Sequence, residues 1–149
     1  MAYEAIVIKN KKASFEYNFL TTYTAGIMLT GTEVKSIREG KATLTDAFCV
    51  FMNGDLWVKN MHISEFKQGS YNNHEPKRLR KLLLNKSEMQ KILSKLKEKG
   101  TTIIPIQLFF SDRGFAKLEI ALARGKKLFD KREDMKKKDQ QREISRVVR

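Results

Sequence analysis

The stretch FCVFMNGDLWV at residues 48–58 predicts two antiparallel strands joined by a tight turn. Asn53 and Gly54 lie at its centre, and both tolerate the positive φ that a type I′ turn requires at its two middle residues. The flanking segments are rich in aromatic and β-branched residues, which favour strands. This hairpin therefore predicts a domain built mainly from β-strands.

Further strands are predicted on both sides of the hairpin. Residues 5–8 are apolar, residues 14–19 alternate aromatic and polar side chains with a period of two, and residues 25–30 form a third candidate strand. After the hairpin, residues 102–110 and 115–123 predict a second hairpin, whose turn is at residues 111–114. Its later strand directs Ala116, Leu118, Ile120 and Leu122 to one side and Lys117 and Glu119 to the other. Pro105 predicts that the earlier strand lies at an edge or carries a bulge.

Two helices are predicted between these strands. The stronger one has a Ser87/Gln90 capping box, an apolar stripe and a stop at Gly100. The stripe consists of Met89, Ile92, Leu93 and Leu96. A shorter helix is predicted after a Thr32 cap and ends near Gly40. About six or seven short strands with these helices predict a small β-barrel over residues 1–124.

The net charge favours a polyanionic partner. The 149 residues include 30 Lys plus Arg and 17 Asp plus Glu, a formal net charge of +13. Such an excess destabilises a folded chain by self-repulsion, which nucleic acid relieves. Hydrophobic residues make up 41%, too many for a wholly disordered chain. The single Cys49 excludes an internal disulfide and, with no secretory leader visible, predicts a cytoplasmic location.

The residues that most enzymes use are sparse. His62 and His74 are the only histidines, and they are predicted to pack rather than to bind metal. Cys49 is predicted to be a buried, inert thiol. Most carboxylates alternate with Lys or Arg, as on a solvated face. We therefore expect no catalytic site, cofactor or metal.

Three basic groups are candidates for nucleic-acid binding. They are Lys9, Lys11 and Lys12 with the intervening Asn10; Lys77, Arg78, Arg80 and Lys81; and the run that begins at Arg124. The second group follows Tyr71, Asn72, Asn73 and His74, side chains that can stack on or hydrogen-bond to unpaired bases. If residues 81–85 form a strand, Leu82 and Leu84 point to the core. Leu83 and Asn85 are then exposed beside Lys81.

Residues 125–149 predict a separate basic tail. The segment is dense in cations and has few large apolar residues, so it cannot offset its ordering entropy alone and is predicted to be disordered when free. Ile144, Val147 and Val148 are spaced by three and four, so the tail can form a helix on a partner.

Three motifs together resemble the small protein B family, the tmRNA-binding proteins of bacterial ribosome rescue. They are AGIMLTGTEVKSIREGK at residues 25–41, RLRKLLLN at 78–85 and GKKLFDKR at 125–132. The resemblance extends from about residue 10 to 132. It implies an oligonucleotide-binding-type (OB-like) β-barrel that holds the tRNA-like domain of tmRNA and delivers it, with elongation factor Tu, to a stalled ribosome.

The resemblance also implies which residues bind. Family tmRNA-binding positions match Leu83, Asn85 and Lys117, whereas Thr24 stands where the family often has glutamate. The predicted RNA contacts are Asn10, Lys11, Lys12, Thr24, Arg78, Arg80, Lys81, Leu83, Asn85, Lys117, Lys126 and Lys127. The tail is implied to sense the empty mRNA channel of the ribosome as a helix. Its predicted ribosome contacts are Lys131, Arg132, Lys136, Lys137, Lys138, Arg142, Ile144, Arg146, Val147 and Val148.

Two other functions fit the charge. A structural ribosomal or assembly protein that binds rRNA explains the basic composition equally well, and the family motifs disfavour it. An RNA-processing enzyme is a third class, for which Glu33 or Asp46 would have to act in catalysis. The favoured reading is a monomeric RNA-binding protein that does not act at membranes.

Overall fold

The computed structural model describes residues 6–67 and 73–126, together with Arg132 and Lys136. In this part of the chain the strands are β1 (Val7–Lys9), β2 (Tyr17–Ile27), β3 (Ala42–Thr43), β4 (Phe48–Met52), β5 (Asp55–Lys59), β6 (His62–Ile63), β7 (Arg80–Leu83), β8 (Thr101–Phe110) and β9 (Ala116–Gly125). The helices are α1 (Lys11–Glu16), α2 (Gly31–Arg38) and α3 (Lys86–Leu96).

The main sheet closes on itself through the long strand β8. Its hydrogen-bonded order is β1-β8-β4-β5-β7-β2-β9, and β9 also pairs with β8. One edge of β8 pairs with β9 along most of its length, while the other edge pairs with β4 at Ile103 and with β1 at residues 107–109. Closure leaves β4, β5, β7, β2, β9 and β8 as a six-stranded antiparallel ring. The prediction of a mainly-β fold with a small barrel is confirmed.

The hairpin at residues 48–58 has the predicted turn. Asn53 and Gly54 both have positive φ, 52° and 80°, as a type I′ turn requires. Met52 pairs with Asp55 on either side of them. The indole N–H of Trp57 donates to the carbonyl of Met52 at 3.2 Å, which holds the tip.

Apart from the buried Glu33 and Arg80, the core is mainly apolar, and its cluster includes one fully buried residue from each of the two longer helices. Its fully buried side chains come from every strand of the ring except β4, which supplies the nearly buried Cys49. Ile37 of α2 and Ile92 of α3 are both 0% exposed and belong to the same cluster. Burying a Leu or Ile side chain contributes about 1.5–3 kcal/mol, so this core is the main source of stability.

The N-terminal third corrects three predictions. The strand predicted at residues 14–19 begins only at Tyr17, because the Asn10 side chain accepts a hydrogen bond from the Ala13 N–H and starts helix α1 instead. The strands predicted near residues 19 and 25–30 are one continuous strand, β2. Helix α2 is capped by Thr30 rather than Thr32, and Thr30 forms a capping box with Glu33.

The second hairpin and the last helix refine the sequence interpretation. Pro105 lies at a register shift within β8, so the bulge alternative is correct. Helix α3 begins two residues earlier than the predicted Ser87 cap implied, because Asn85 is its cap residue and forms the capping box with Glu88. Leu93, predicted to face the core, is 50% exposed, whereas Ile92 is buried.

Most of the predicted tail lies outside the described residues. Arg132 and Lys136 are helical and exposed. Strand β9 ends at Gly125, and the N–H of Lys126 donates to the carbonyl of Glu16 at 2.7 Å. None of the helices in the described ranges is long and apolar enough to span a membrane.

Candidate nucleic-acid interface

Two of the predicted RNA contacts lie in one row across three neighbouring strands. Gly26 on β2 pairs with Leu83 on β7 and, at its other edge, with Lys117 on β9. Directly opposed residues of antiparallel strands present their side chains on the same face. The barrel interior is on the other face, since Leu82 and Leu118, the neighbours of Leu83 and Lys117, are buried. Leu83 and Lys117 therefore share the outer face, with glycine between them.

Leu83 lies closely against the backbone of Gly26. A Cβ at position 26 would meet the Cβ of Leu83 at 3.3 Å, a tight contact. Leu83 is 50% exposed although leucine is normally a core residue. A glycine inside a strand often marks a place where a ligand or another backbone approaches closely. This signal was present in the sequence, but the prediction of RNA contacts did not include Gly26.

A second row contains the predicted contact Thr24. Thr24 on β2 pairs with Glu119 on β9, which pairs with Gln107 on β8, which pairs with Lys9 on β1. Thr24 is exposed, and the Gln107 side-chain amide donates to the Glu119 carboxylate at 2.6 Å. Thr24, at the position where the family often has glutamate, is thus uncharged, and the carboxylate of Glu119 lies beside it on β9.

Asn85 extends the same surface beyond Leu83. It is exposed, and its backbone N–H donates to the Glu88 carboxylate at 3.4 Å at the start of α3. Leu82 is 2% exposed and Leu84 packs against the core, whereas Leu83 and Asn85 face outward. The predicted alternation over residues 81–85 is confirmed. Lys81, on the same strand, forms an ion pair with Asp55 at 3.5 Å.

Arg80 is a structural residue, which corrects its prediction as an RNA contact. Its side chain is 0% exposed. The guanidinium donates to the Glu33 carboxylate, to the carbonyl of Met61 at 2.7 Å and to that of Pro76 at 3.1 Å. A buried cation is tolerated only when it is paired and hydrogen-bonded in this way. RNA cannot reach Arg80 in this fold.

Arg78 is partly committed to the same carboxylate. Its guanidinium donates to Glu33 Oε1 at 2.6 Å, and its side chain remains 36% exposed. Burial alone would raise the pKa of Glu33. The hydrogen bonds from Arg78 and from the Thr30 N–H, with the charge of Arg80, outweigh burial and hold the pKa below its ordinary value. Glu33 therefore fixes both arginines, and Arg78 offers only part of its surface to a ligand.

Asn10 is also structural rather than exposed. Its side chain is nearly buried, and the amide nitrogen donates to the carbonyls of Leu44 at 3.1 Å and Pro105 at 2.9 Å. The prediction of Asn10 as an RNA contact is wrong because the amide is occupied by these bonds. Lys11 and Lys12 follow it on α1 and are exposed.

The remaining predicted lysine contacts among the described residues lie in a different place, where α1 meets the end of β9. Lys12 is 3.7 Å from Glu16, and the backbone of Glu16 accepts from Lys126. The predicted contacts Lys11, Lys12 and Lys126 are therefore grouped here, away from the row of Leu83 and Lys117. Lys127 lies outside the described residues.

Other candidate side chains of the sequence are used in packing. His74 is 6% exposed, with its ring nitrogens 2.8 Å from the Thr32 hydroxyl and 2.9 Å from the Ile63 carbonyl. This confirms a packing role and removes His74 from the candidate base contacts. Asn73 is hydrogen-bonded to the backbone of Phe66, and Tyr71 and Asn72 are not among the described residues.

Neither a reactive thiol nor a metal-binding group is found among the residues that the structure describes. Burial raises the pKa of the Cys49 thiol far above its usual range, so the thiol is protonated and inert. No group of three or more His, Cys, Asp or Glu side chains in these residues is placed to hold a metal ion.

A closed antiparallel barrel whose outer face combines lysines with exposed apolar side chains is the arrangement of a nucleic-acid-binding β-barrel. Comparison with known proteins agrees with this class. The family model described as SmpB protein matches residues 7–149. The chain belongs to the SmpB family.

Individual relatives match over nearly their whole length. The SsrA-binding protein of Phocaeicola vulgatus is 59% identical over 144 residues, which cover 97% of this chain and 96% of that protein. The SsrA-binding protein of Bacteroides thetaiotaomicron is 56% identical over 149 residues, covering 100% and 99%. A chain from a solved structure described as "tmRNA-SmpB: a journey to the center of the bacterial ribosome" superposes with a TM-score of 0.70. It is 46% identical, with 83% of this chain and 86% of that chain covered.

Proposed function

We propose that this protein is a non-catalytic RNA-binding protein that holds the tRNA-like domain of tmRNA and brings it to stalled ribosomes for rescue. Relatives at 59% and 56% identity are SsrA-binding proteins, and the matching solved structure is a tmRNA–SmpB assembly on the ribosome. The family is one of RNA-binding proteins rather than enzymes.

The observation that carries this proposal is the row formed by Leu83, Gly26 and Lys117. It places an exposed apolar side chain about two strand spacings, roughly 10 Å, from a cation on the same outer face. Lys117 forms no ion pair with a carboxylate in the described ranges, so its charge is available to a phosphate. Leu83 contacts an unstacked base or a sugar, and Asn85 hydrogen-bonds beside it. Such a surface recognises folded RNA through its backbone and a few splayed bases.

The charge of the chain is divided between two tasks in this account. Residues 1–124 form the RNA-binding barrel, and residues 125–149 form the basic tail that folds as a helix in the vacant mRNA channel. Elongation factor Tu participates through the charged tmRNA and needs no separate surface on this protein. The protein is a monomer that works in the cytoplasm, where ribosomes are.

Equilibrium binding of a purified tRNA-like-domain transcript tests the proposal, with an elongator tRNA as the competitor. We expect tight binding that weakens steeply with salt. Leu83→Ala and Asn85→Ala should each weaken it about 5- to 100-fold, and Lys117→Ala should reduce the salt slope by about 1. Lys97→Ala, at an exposed position on the far end of α3, is the matched charge control and should leave the specific affinity within about twofold.

Equal binding of the elongator tRNA and the tRNA-like domain would contradict the proposal. So would wild-type affinity in both the Leu83 and the Lys117 variants.

A further inference from the structure

Exposed apolar side chains continue along the barrel beyond Lys117. Lys117 on β9 pairs with Phe109 on β8, and Phe109 pairs with Val7 on β1. The row that begins at Leu83 therefore extends over five strands on the outer face. Val7 is 42% exposed, and Phe109 is partly exposed.

The turn of the β8–β9 hairpin adds a second aromatic ring next to this row. Phe115 is 64% exposed, more than any other large apolar side chain in the described residues. It lies immediately before β9 begins at Ala116, two positions before Lys117, so the ring is next to the end of the strand that carries Lys117. The segments that the structure describes leave most of the Phe115 ring uncovered, although burying it would be favourable by about 1.5–3 kcal/mol.

The backbone of this turn holds Phe115 in place. The N–H of Ser111 donates to the Phe115 carbonyl at 2.8 Å, and the Phe115 N–H donates to the Ser111 hydroxyl at 3.2 Å. Gly114 completes the turn with a φ of +84° and donates to the Ser111 carbonyl at 2.8 Å. The exposed ring is thus presented from a hydrogen-bonded turn, which lowers the entropy lost on binding.

The charges around the two rings favour a nucleic-acid occupant. Lys117 is paired with Phe109 across the strands and follows Phe115 by two positions. Arg113 is exposed at the tip of the turn, and Lys9 is exposed two positions after Val7 on β1. An aromatic face surrounded by cations is the arrangement that stacks on an unpaired base while binding its phosphates. The patch is also continuous with the row that we assign to RNA.

We propose that Phe115 and Phe109, with Val7 at the edge, form a stacking site for an unpaired nucleobase of the bound RNA, with Arg113 on an adjacent phosphate. This inference rests on the proposed function, and it extends the interface past the family positions. Because stacking is tolerant of base identity, the site supplies affinity and position rather than sequence selectivity.

Substitutions of Phe115 measured against the tRNA-like-domain transcript test the inference. We expect Phe115→Ala to weaken binding about 5- to 100-fold with an unchanged salt slope, since no charge is removed. Phe115→Leu keeps apolar surface but no aromatic face, and it should lose most of the same affinity. Phe115→Trp should bind at least as tightly as wild type. Leu93→Ala is the matched control, because Leu93 is 50% exposed but lies on α3 outside the row.

Fluorescence gives a second readout that does not depend on affinity. Trp57 is the single tryptophan, so the double variant Trp57→Phe, Phe115→Trp carries one indole at the proposed site. Its emission should be strongly quenched at saturating RNA, whereas the matched Trp57→Phe, Leu93→Trp variant should change little.

The outcomes separate this inference from the function on which it rests. If Leu83→Ala weakens binding while Phe115→Ala stays within twofold of wild type, the stacking site is wrong and the proposed function stands. Wild-type affinity for Phe115→Leu would also overturn it. If Phe115→Ala instead abolishes a dimer and leaves RNA binding intact, the patch belongs to a second copy of the chain. Failure of the wild-type protein to bind the transcript would contradict the proposed function itself.

Discussion

Glu33 on α2 and Arg80 on β7 are both fully buried and are hydrogen-bonded to each other, although 47 positions separate them in the sequence. Their pairing ties the helix to the strand that ends in Leu83. The same carboxylate also holds Arg78. An ion pair inside the protein thus fixes the strand that carries the proposed RNA-binding surface.

Loss of the Glu33 charge should destabilise the fold strongly. Glu33→Gln leaves the Arg80 guanidinium buried without its counter-charge, which costs about 3–5 kcal/mol in comparable cases. Urea denaturation followed by circular dichroism measures this loss. The control is Glu39→Gln, which removes an exposed ion pair with Lys41 at 3.1 Å and should cost less than about 1 kcal/mol. Equal losses in the two variants would contradict the structural role of Glu33.

The same pair gives the stability a defined pH dependence. The pKa of Glu33 in the folded protein lies below its ordinary value of 4.5, so near that pH the unfolded chain binds more protons than the folded one. The stabilisation from Glu33 is therefore present above pH 4.5 and lost as the pH falls through the folded pKa. Unfolding free energies from about pH 6 to pH 3 should fall less steeply for Glu33→Gln than for wild type. Parallel curves for the two proteins would show that Glu33 does not titrate as described.

Adding a side chain at Gly26 should impair RNA binding without unfolding the barrel. The Cβ of Gly26→Ala meets the Cβ of Leu83 at 3.3 Å, so Leu83 must shift on the outer face where Gly26 also pairs with Lys117. We expect the free energy of unfolding to change by less than about 1 kcal/mol and the Kd for the tRNA-like RNA to rise roughly three- to tenfold. Gly31→Ala is the control, since nothing lies within 4 Å of a Cβ there. An unchanged Kd for Gly26→Ala would place the RNA elsewhere.

Local signals in the sequence were sufficient to predict much of the fold. The type I′ turn at Asn53 and Gly54 depends only on those two residues and their flanking strands, so it could be predicted. The alternation that exposes Leu83 is local in the same way. The strand predicted at residues 14–19 failed because the alternation there competes with the Asn10 cap, which favours a helix.

Long-range pairing decided the predictions that failed for the binding site. From the sequence alone Arg80 is predicted to be a surface cation, because its partner Glu33 lies 47 positions away along the chain. Asn10 is likewise buried by a hydrogen bond to Pro105, 95 positions away. The row of Leu83, Gly26 and Lys117 was missed for the same reason, because it depends on the pairing of three strands that no local pattern specifies.

Removal of residues 135–149 should separate the two tasks of the chain. Because the barrel retains Leu83, Asn85 and Lys117, we expect the truncated protein to bind the tRNA-like RNA within about threefold of wild type at physiological salt. Rescue should be abolished, measured as tagging of nascent chains on an mRNA that lacks a stop codon. A variant with the same length of Gly/Ser chain in place of the tail controls for chain length. Loss of RNA binding with rescue retained would reverse the proposed division.

The most direct test of the central claim is the identity of the RNA that the protein carries in bacteria. The tagged full-length chain is purified from cells at moderate salt and the bound RNA is sequenced, with the Leu83→Ala, Lys117→Ala double variant in parallel. We predict one dominant species, tmRNA, which is strongly depleted in the double variant. Ribosomal RNA as the main species, recovered equally with both proteins, would contradict the account and favour a structural ribosomal protein.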